Sequence, residues 1–360
     1  MSDQGDRALH RLLFFALVVG IGALTIYSMI VGRDILLPLV VAFVVWYFVN
    51  VLAAALRRIT RERLPGWLAV TLGAIGVLGL CWAIGDMLAG NIAVIADELP
   101  GYEKKFDALI AEWSTALGFK DPPRVAELIG RIDLQAWARS AASAIAGFAG
   151  NAGLVLVYVF FLLLEQGGFR RKLSRLINNE PREAETRAVI GRIHQDLQTY
   201  IRVKVLLALV GAVAGWAIMV AVRLDFAPFW AALLFLTYFI PVIGTPVALI
   251  GPAIFSLVQF ETLTPFLIVV LGNLALQLVL ENFIEPMMMG RSLNLSPFVS
   301  IVALVVFGAI WGLVGMVLCV PILVSIVIVL AHFQRTRGLA ILLSAKGEVS
   351  DLRRPAAPRA

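Results

Sequence analysis

Charge is scarce in this chain: Asp, Glu, Lys and Arg make up 15% of 360 residues, where a soluble globular domain carries about a quarter. With 60% hydrophobic residues and a mean hydropathy of +0.91, that excludes an ordinary water-soluble fold and defines a polytopic membrane protein. Cysteine is nearly absent. Cys81 and Cys319 lie far apart, each inside an apolar run, which excludes a disulfide framework and a thiolate metal site. His10, His194 and His332 are equally scattered and form no His-Glu-x-x-His pair, so no zinc centre is expected. No phosphate-cradling glycine loop and no nucleophile-elbow context occurs; a nucleotide-driven pump, an intramembrane enzyme and a resident cofactor are all disfavoured. The formal net charge of +6 does not imply nucleic acid, because the basic residues sit in short clusters beside apolar spans, where they fix orientation.

What is present is a series of apolar runs of membrane-crossing length. Leu12 to Val31 lacks a cleavage-type end and is expected to remain as the first span. Ile35 to Leu56 follows after Gly32, Arg33 and Asp34, which predicts a tight helical hairpin, and Arg57, Arg58, Arg61 and Arg63 then mark a cytoplasmic loop. A third span covers Gly66 to Leu88, with Gly73, Gly76 and Gly79 as a small-residue packing strip. The stretch 89–147 is too polar to span. Phe106, Leu109, Ile110, Trp113 and Leu117, then Val125, Leu128, Ile129, Ile132 and Trp137, recur at helical spacing and predict two extracytoplasmic amphipathic helices. A fourth span, Ala144 to Leu164, precedes the basic cluster Arg170, Arg171, Lys172 and Arg175. The polar stretch to Lys204 reads as an interfacial helix leading into a fifth span, Val203 to Val222, whose Gly211 and Gly215 suit a close helix contact. The charge pattern places both termini in the cytoplasm.

Two later apolar stretches, Ala227 to Val258 and Ser296 to His332, exceed the roughly 20 residues that cross a bilayer. Pro241, Gly244, Thr245 and Pro246 interrupt the first; Pro297 opens the second, which also holds Trp311, Gly312, Gly315 and Pro321. Each is expected to be either a kinked span or a re-entrant hairpin, and broken helices at membrane depth belong where they line a cavity. Between them a seventh span, Pro265 to Leu280, carries Asn273, Gln277 and Glu281 at steps of four, followed by Asn282, Glu285 and Pro286. Such a spacing predicts one polar face. A carboxylate at a helix centre costs roughly 3 kcal/mol in translocon scales, so Glu281 and Glu285 are read as lining a solute or ion path, with Asn273, Gln277, Asn282 and Arg291 beside them.

These residues resemble the autoinducer-2 exporter family of bacterial membrane proteins, also called PerM-like permeases. The resemblance runs over most of the chain and includes the region of Tyr200 and Ile240-Pro241-Val242-Ile243-Gly244. It is sharpest at Glu281-Asn282, Glu285-Pro286, Gly290, Leu293, Leu295-Ser296-Pro297, Trp311-Gly312, Gly315 and Pro321. It implies transport of a small polar molecule or of ions, some members being assigned export of autoinducer-2 and others sodium/proton antiport. Members commonly show His before the proline ahead of the last span; this chain has Ser296 there, so no proton role is carried over to that position.

The expected molecule is therefore an all-α polytopic membrane protein with about eight transmembrane segments, two of them broken or re-entrant, and an amphipathic extracytoplasmic helical segment. Spans one to three occupy 1–88, the extracytoplasmic segment 89–147 and spans four to eight 148–335, with a basic loop at 166–202 and a transport region at 227–333. A basic, disordered cytoplasmic tail fills 336–360. The function expected is that of a permease of the bacterial inner membrane, meeting lipid, a small polar solute and a proton or sodium ion, and assembling as a homo-oligomer. A sodium/proton antiporter and a non-transporting scaffold or regulator are the alternatives.

Overall fold

The computed structural model describes residues 20–116, 152–166, 180–260, 262–289, 295–333 and 336–345, with single positions 16, 150, 168 and 347. The second amphipathic helix expected after Pro123, the basic cluster Arg170 to Arg175, the pair Gly290 and Arg291, and the tail from 346 on apart from 347 lie outside the described residues; the first part of the tail expected to be disordered is instead helical at Arg337–Leu343. Within them the regular elements are helices, and the one extended pairing is a bridge between Leu295 and Ser344. Five helices are long and apolar enough to cross a membrane, and four shorter apolar helices accompany them.

Helix α1 (Gly20–Val31) and α2 (Arg33–Ile59) are separated by Gly32 alone. Gly32 stays close to helical geometry, at φ −83° and ψ 11°, and still links to Ser28 and Leu36 through backbone bonds. A helical hairpin needs about two to five connecting residues, so the expected tight hairpin is instead a one-residue bend. The bend frees the Met29 carbonyl, which Arg33 would take in an unbroken helix, and Trp311 Nε1 donates to it at 3.1 Å.

At its other end α2 closes with left-handed Arg61 (φ 49°) and Glu62 (φ 62°), while Glu62 N–H reaches back to the Arg57 carbonyl at 2.7 Å. This six-to-one bond is a helix stop, and Arg57 and Arg58 in the last turn oppose the negative end of the helix dipole. The chain reverses into α3 (Gly66–Ala116). A Cβ on Gly73 would press against the Val49 carbonyl, so α2 and α3 approach backbone to backbone there. Helix α3 does not stop at Leu88 but runs unbroken for 51 residues, about 77 Å, so the boundary expected at 88/89 falls inside one helix. Helix α4 (Ala152–Gln166) packs Val155 and Val159 against Ala42 of α2.

Helix α5 (Glu180–Ala221) is likewise continuous, so the expected interfacial helix and fifth span are one element. Left-handed Arg223 and Phe226 turn the chain into α6 (Ala227–Thr237), and six residues later α7 (Gly244–Gln259) returns. The two run antiparallel. Gly244 sits against the Thr237 carbonyl, Gly251 against the Trp230 ring, and Phe226 stacks edge-on with Phe255 at 5.5 Å. Gln259 closes the base, accepting from the Asp225 N–H at 2.8 Å and donating to the Arg223 carbonyl at 2.9 Å.

Helix α8 (Leu263–Met289) contains one wide turn, Leu280–Ile284, and leads to α9 (Pro297–His332), which breaks at Gly312. Gly312 takes φ 62°, ψ −141°, a conformation open in practice to glycine alone. Beyond it the chain doubles back, with Gly308 against Met316 and Gly315 against the Phe307 carbonyl. The base of this second hairpin is tied through α10 (Arg337–Leu343), where Ser296 N–H donates to the Leu343 carbonyl at 3.0 Å. Helix α8 spans about 40 Å and joins the base of one hairpin to the base of the other, so the two hairpins enter the bundle from opposite ends. Their apolar faces share a core with α2, α5 and α8 through Tyr200, Leu207, Tyr238, Leu280, Leu304 and Leu323, while Leu267, Leu271 and Leu278 of α8 stay exposed, as a lipid-facing surface requires.

Candidate functional site at the tip of the first hairpin

Local chemistry dictates where the first hairpin turns. Pro241 has no N–H for a helical bond and Pro246 falls in the first turn of α7, where none is needed. Val242 is forced to φ 66°, and only glycine fits at 244 because a Cβ would collide with the Thr237 carbonyl. The turn carries Tyr238 and Thr245 to α8.

The wide turn in α8 has its own cause. Pro286 donates no backbone bond and would clash with the carbonyl four residues earlier in a regular helix, and the turn before it widens so that Glu285 N–H bonds the Leu280 carbonyl. One extra residue in the turn rotates the remainder of the helix by about 100°. The rotation acts on Glu285 and the residues beyond it, while Asn273 and Gln277 precede the turn and Glu281 stands at its start. Asn273 and Gln277 are buried in the seam with α5, where the first lies against Gly215 and the second against Gly211. Asn273 donates to the Val269 carbonyl at 2.9 Å, while its Oδ1 and Gln277 Oε1 find no partner among the described residues. The Gly211/Gly215 pair thus serves α8.

Glu281 and Glu285 face the hairpin tip. Lys204 Nζ of α5 lies 2.7 Å from Glu285 Oε1, and the Tyr238 hydroxyl donates to Glu285 Oε2 at 3.1 Å. The Lys204 ammonium also stands over the Tyr238 ring, 4.7 Å from its centroid, a cation–π contact. Lys204 and Glu285 side chains are only 10% and 17% exposed. Tyr200, one turn before Lys204 and within the field of the Glu285 charge, keeps a buried hydroxyl without a partner among the described residues. Glu281 differs: it is exposed and its polar partner among the described residues is the Thr245 hydroxyl. Asn282 turns back to its own helix, donating to the Leu278 carbonyl at 3.1 Å.

The remaining expected residues lie elsewhere. Pro297 starts α9, Trp311, Gly312 and Gly315 form the second hairpin's tip, and the Pro321 carbonyl accepts from Ser325 at 2.8 Å. Among the described residues no group of His, Cys, Asp and Glu is placed to hold a metal ion. Sequence reasoning passed over Lys204 and Tyr238. A lysine followed directly by Val205-Leu206-Leu207-Ala208 is as costly at depth as a carboxylate, and that signal marks it.

Long apolar helices, two opposed hairpins and a shielded ion pair among them define a multi-pass membrane protein built for contact with lipid. The chain belongs to the AI-2E family of transporters, whose family model matches residues 13–335. It is 27% identical over 371 residues, 97% of this chain and 100% of the relative, to a protein of Haemophilus influenzae provisionally named a transport protein. It is 33% identical over 191 residues to the AI-2 transport protein TqsA of Escherichia coli K12, covering 53% of this chain and 54% of that one. A second Escherichia coli K12 protein, YhhT, also provisionally named for transport, is 26% identical over 347 residues, covering 95% and 96%.

Proposed function

We propose that the chain is a secondary transporter of the bacterial inner membrane that exports a small polar solute of the autoinducer-2 kind, driven by a proton or sodium gradient. The observation that carries this reading is the meeting of the first hairpin's tip with the two carboxylates of α8: Thr245 on Glu281, and Tyr238 on Glu285. Broken helices that meet polar groups at depth are the usual setting of a transport site. Both hairpins are taken as re-entrant from opposite sides of the bilayer, set among the long membrane-crossing helices α2, α3, α5 and α8. Basic clusters at Arg57 to Arg63 and around Arg337 support a cytoplasmic C-terminus. Arg7 and Arg11 favour the same side for the N-terminal arm. The solute class is supported by the name of TqsA.

The test is flux in proteoliposomes containing the purified chain, with autoinducer-2 or sodium as cargo and an imposed pH or sodium gradient. Gradient-dependent flux that Glu281→Gln abolishes is the expected result. Absence of flux from the folded native chain would overturn the reading in favour of a scaffold.

A further inference from the structure

The two carboxylates of α8 are not equivalent. Both oxygens of Glu285 are engaged, one by Lys204 and the other by Tyr238, and the pair is shielded from solvent on both sides. A carboxylate so compensated has no charge left to offer an incoming cation, and separating the pair at this depth leaves two unpaired charges in a low-dielectric medium. Glu281 has only the Thr245 hydroxyl against it among the described residues, and it is exposed. Thr245 can donate to a carboxylate or accept from a carboxyl, so its link to Glu281 survives a change of protonation.

We infer that Lys204 decides which carboxylate carries the coupling cation: by holding Glu285 in an ion pair, it leaves Glu281 as the one acceptor for a proton or sodium ion. This rests on the transport reading above. Lys204 is a positioning residue.

Dicyclohexylcarbodiimide reads this directly, because it modifies carboxyls that take up a proton in apolar surroundings and spares those held in ion pairs. The full-length chain in phosphatidylethanolamine/phosphatidylglycerol vesicles is treated and the adducts are located by peptide mass spectrometry. The expected pattern is an adduct on Glu281 and none on Glu285. Lys204→Met should add an adduct on Glu285, and Lys204→Arg, which keeps the pair, should not. Protection of Glu281 by sodium chloride but not choline chloride identifies sodium as the cation; loss of labelling with rising pH, unaffected by sodium, identifies the proton. An adduct on Glu285 in the native chain, or none on Glu281, overturns the inference. Should Lys204→Met fail to fold, Glu285→Gln replaces it, and labelling of Glu281 must then be unchanged. Flux in the same vesicles is scored separately, so a correct labelling pattern without flux would sink the transport reading alone.

Discussion

Lys204, Glu285 and Tyr238 are the residues on which the site's integrity rests. Leaving a buried carboxylate without its cation costs about 3–5 kcal/mol, so Lys204→Met should lower the thermal midpoint of the detergent-purified protein sharply. The double replacement Lys204→Met with Glu285→Met should recover most of that loss, because no unpaired charge remains. Tyr238→Phe removes one hydrogen bond to a charged group, about 1.5–3 kcal/mol, and should destabilise less than Lys204→Met does in the same melting assay. How legible these residues were depends on range. Glu281, Glu285, Pro241 and Gly244 stand out in the sequence because each breaks a rule of its own neighbourhood: charge in an apolar run, a missing donor in a helix, or a missing Cβ. The pairing of Lys204 with Glu285 joins positions on different helices, and no local pattern encodes a partner that distant.

At the scale of elements, the wide turn of α8 is what a regular helical spacing could not foresee. Steps of four run on from Asn273, Gln277 and Glu281 to Glu285 only if every turn holds 3.6 residues; the turn Leu280–Ile284 resets the facing of Glu285, which meets Lys204 of α5, while Glu281 meets Thr245 of the hairpin tip. Pro286 was the available clue. The hairpins were legible as breaks but not as reversals, since a kinked span and a hairpin leave the same apolar run, and only the facing of Phe226 on Phe255 and Gly308 on Met316 separates them. With Cys81 and Cys319 replaced by alanine, Phe226→Cys and Phe255→Cys should cross-link under mild oxidation in one folded chain. A straight helix would hold the same positions more than about 40 Å apart, and no cross-link would form. Gly312→Ala should cost on the order of 1–3 kcal/mol, because the second hairpin's turn demands a positive φ; a melting curve unchanged from the native chain would contradict that turn.

Across the whole molecule, α8 separates the two hairpin bases: the first lies at the end where α5 finishes, the second at the end where α10 lies. A cysteine placed at Asp225, exposed at the base of the first hairpin, should react with a membrane-impermeant thiol reagent added to intact cells. A cysteine at Leu342, 75% exposed on α10, should react only after the membrane is opened. Labelling of both from the same side would contradict the opposed arrangement.

Under the proposed function, solute and ion pass the junction between the first hairpin's tip and α8. The most direct measurement is gradient-driven flux through Thr245→Cys, in a background lacking Cys81 and Cys319, before and after modification with a charged methanethiosulfonate. Thr245 touches Glu281, so a bulky charge fixed there should stop flux, and removal of the adduct by a reductant should restore it. Full modification with flux unchanged would place the path elsewhere and contradict the account.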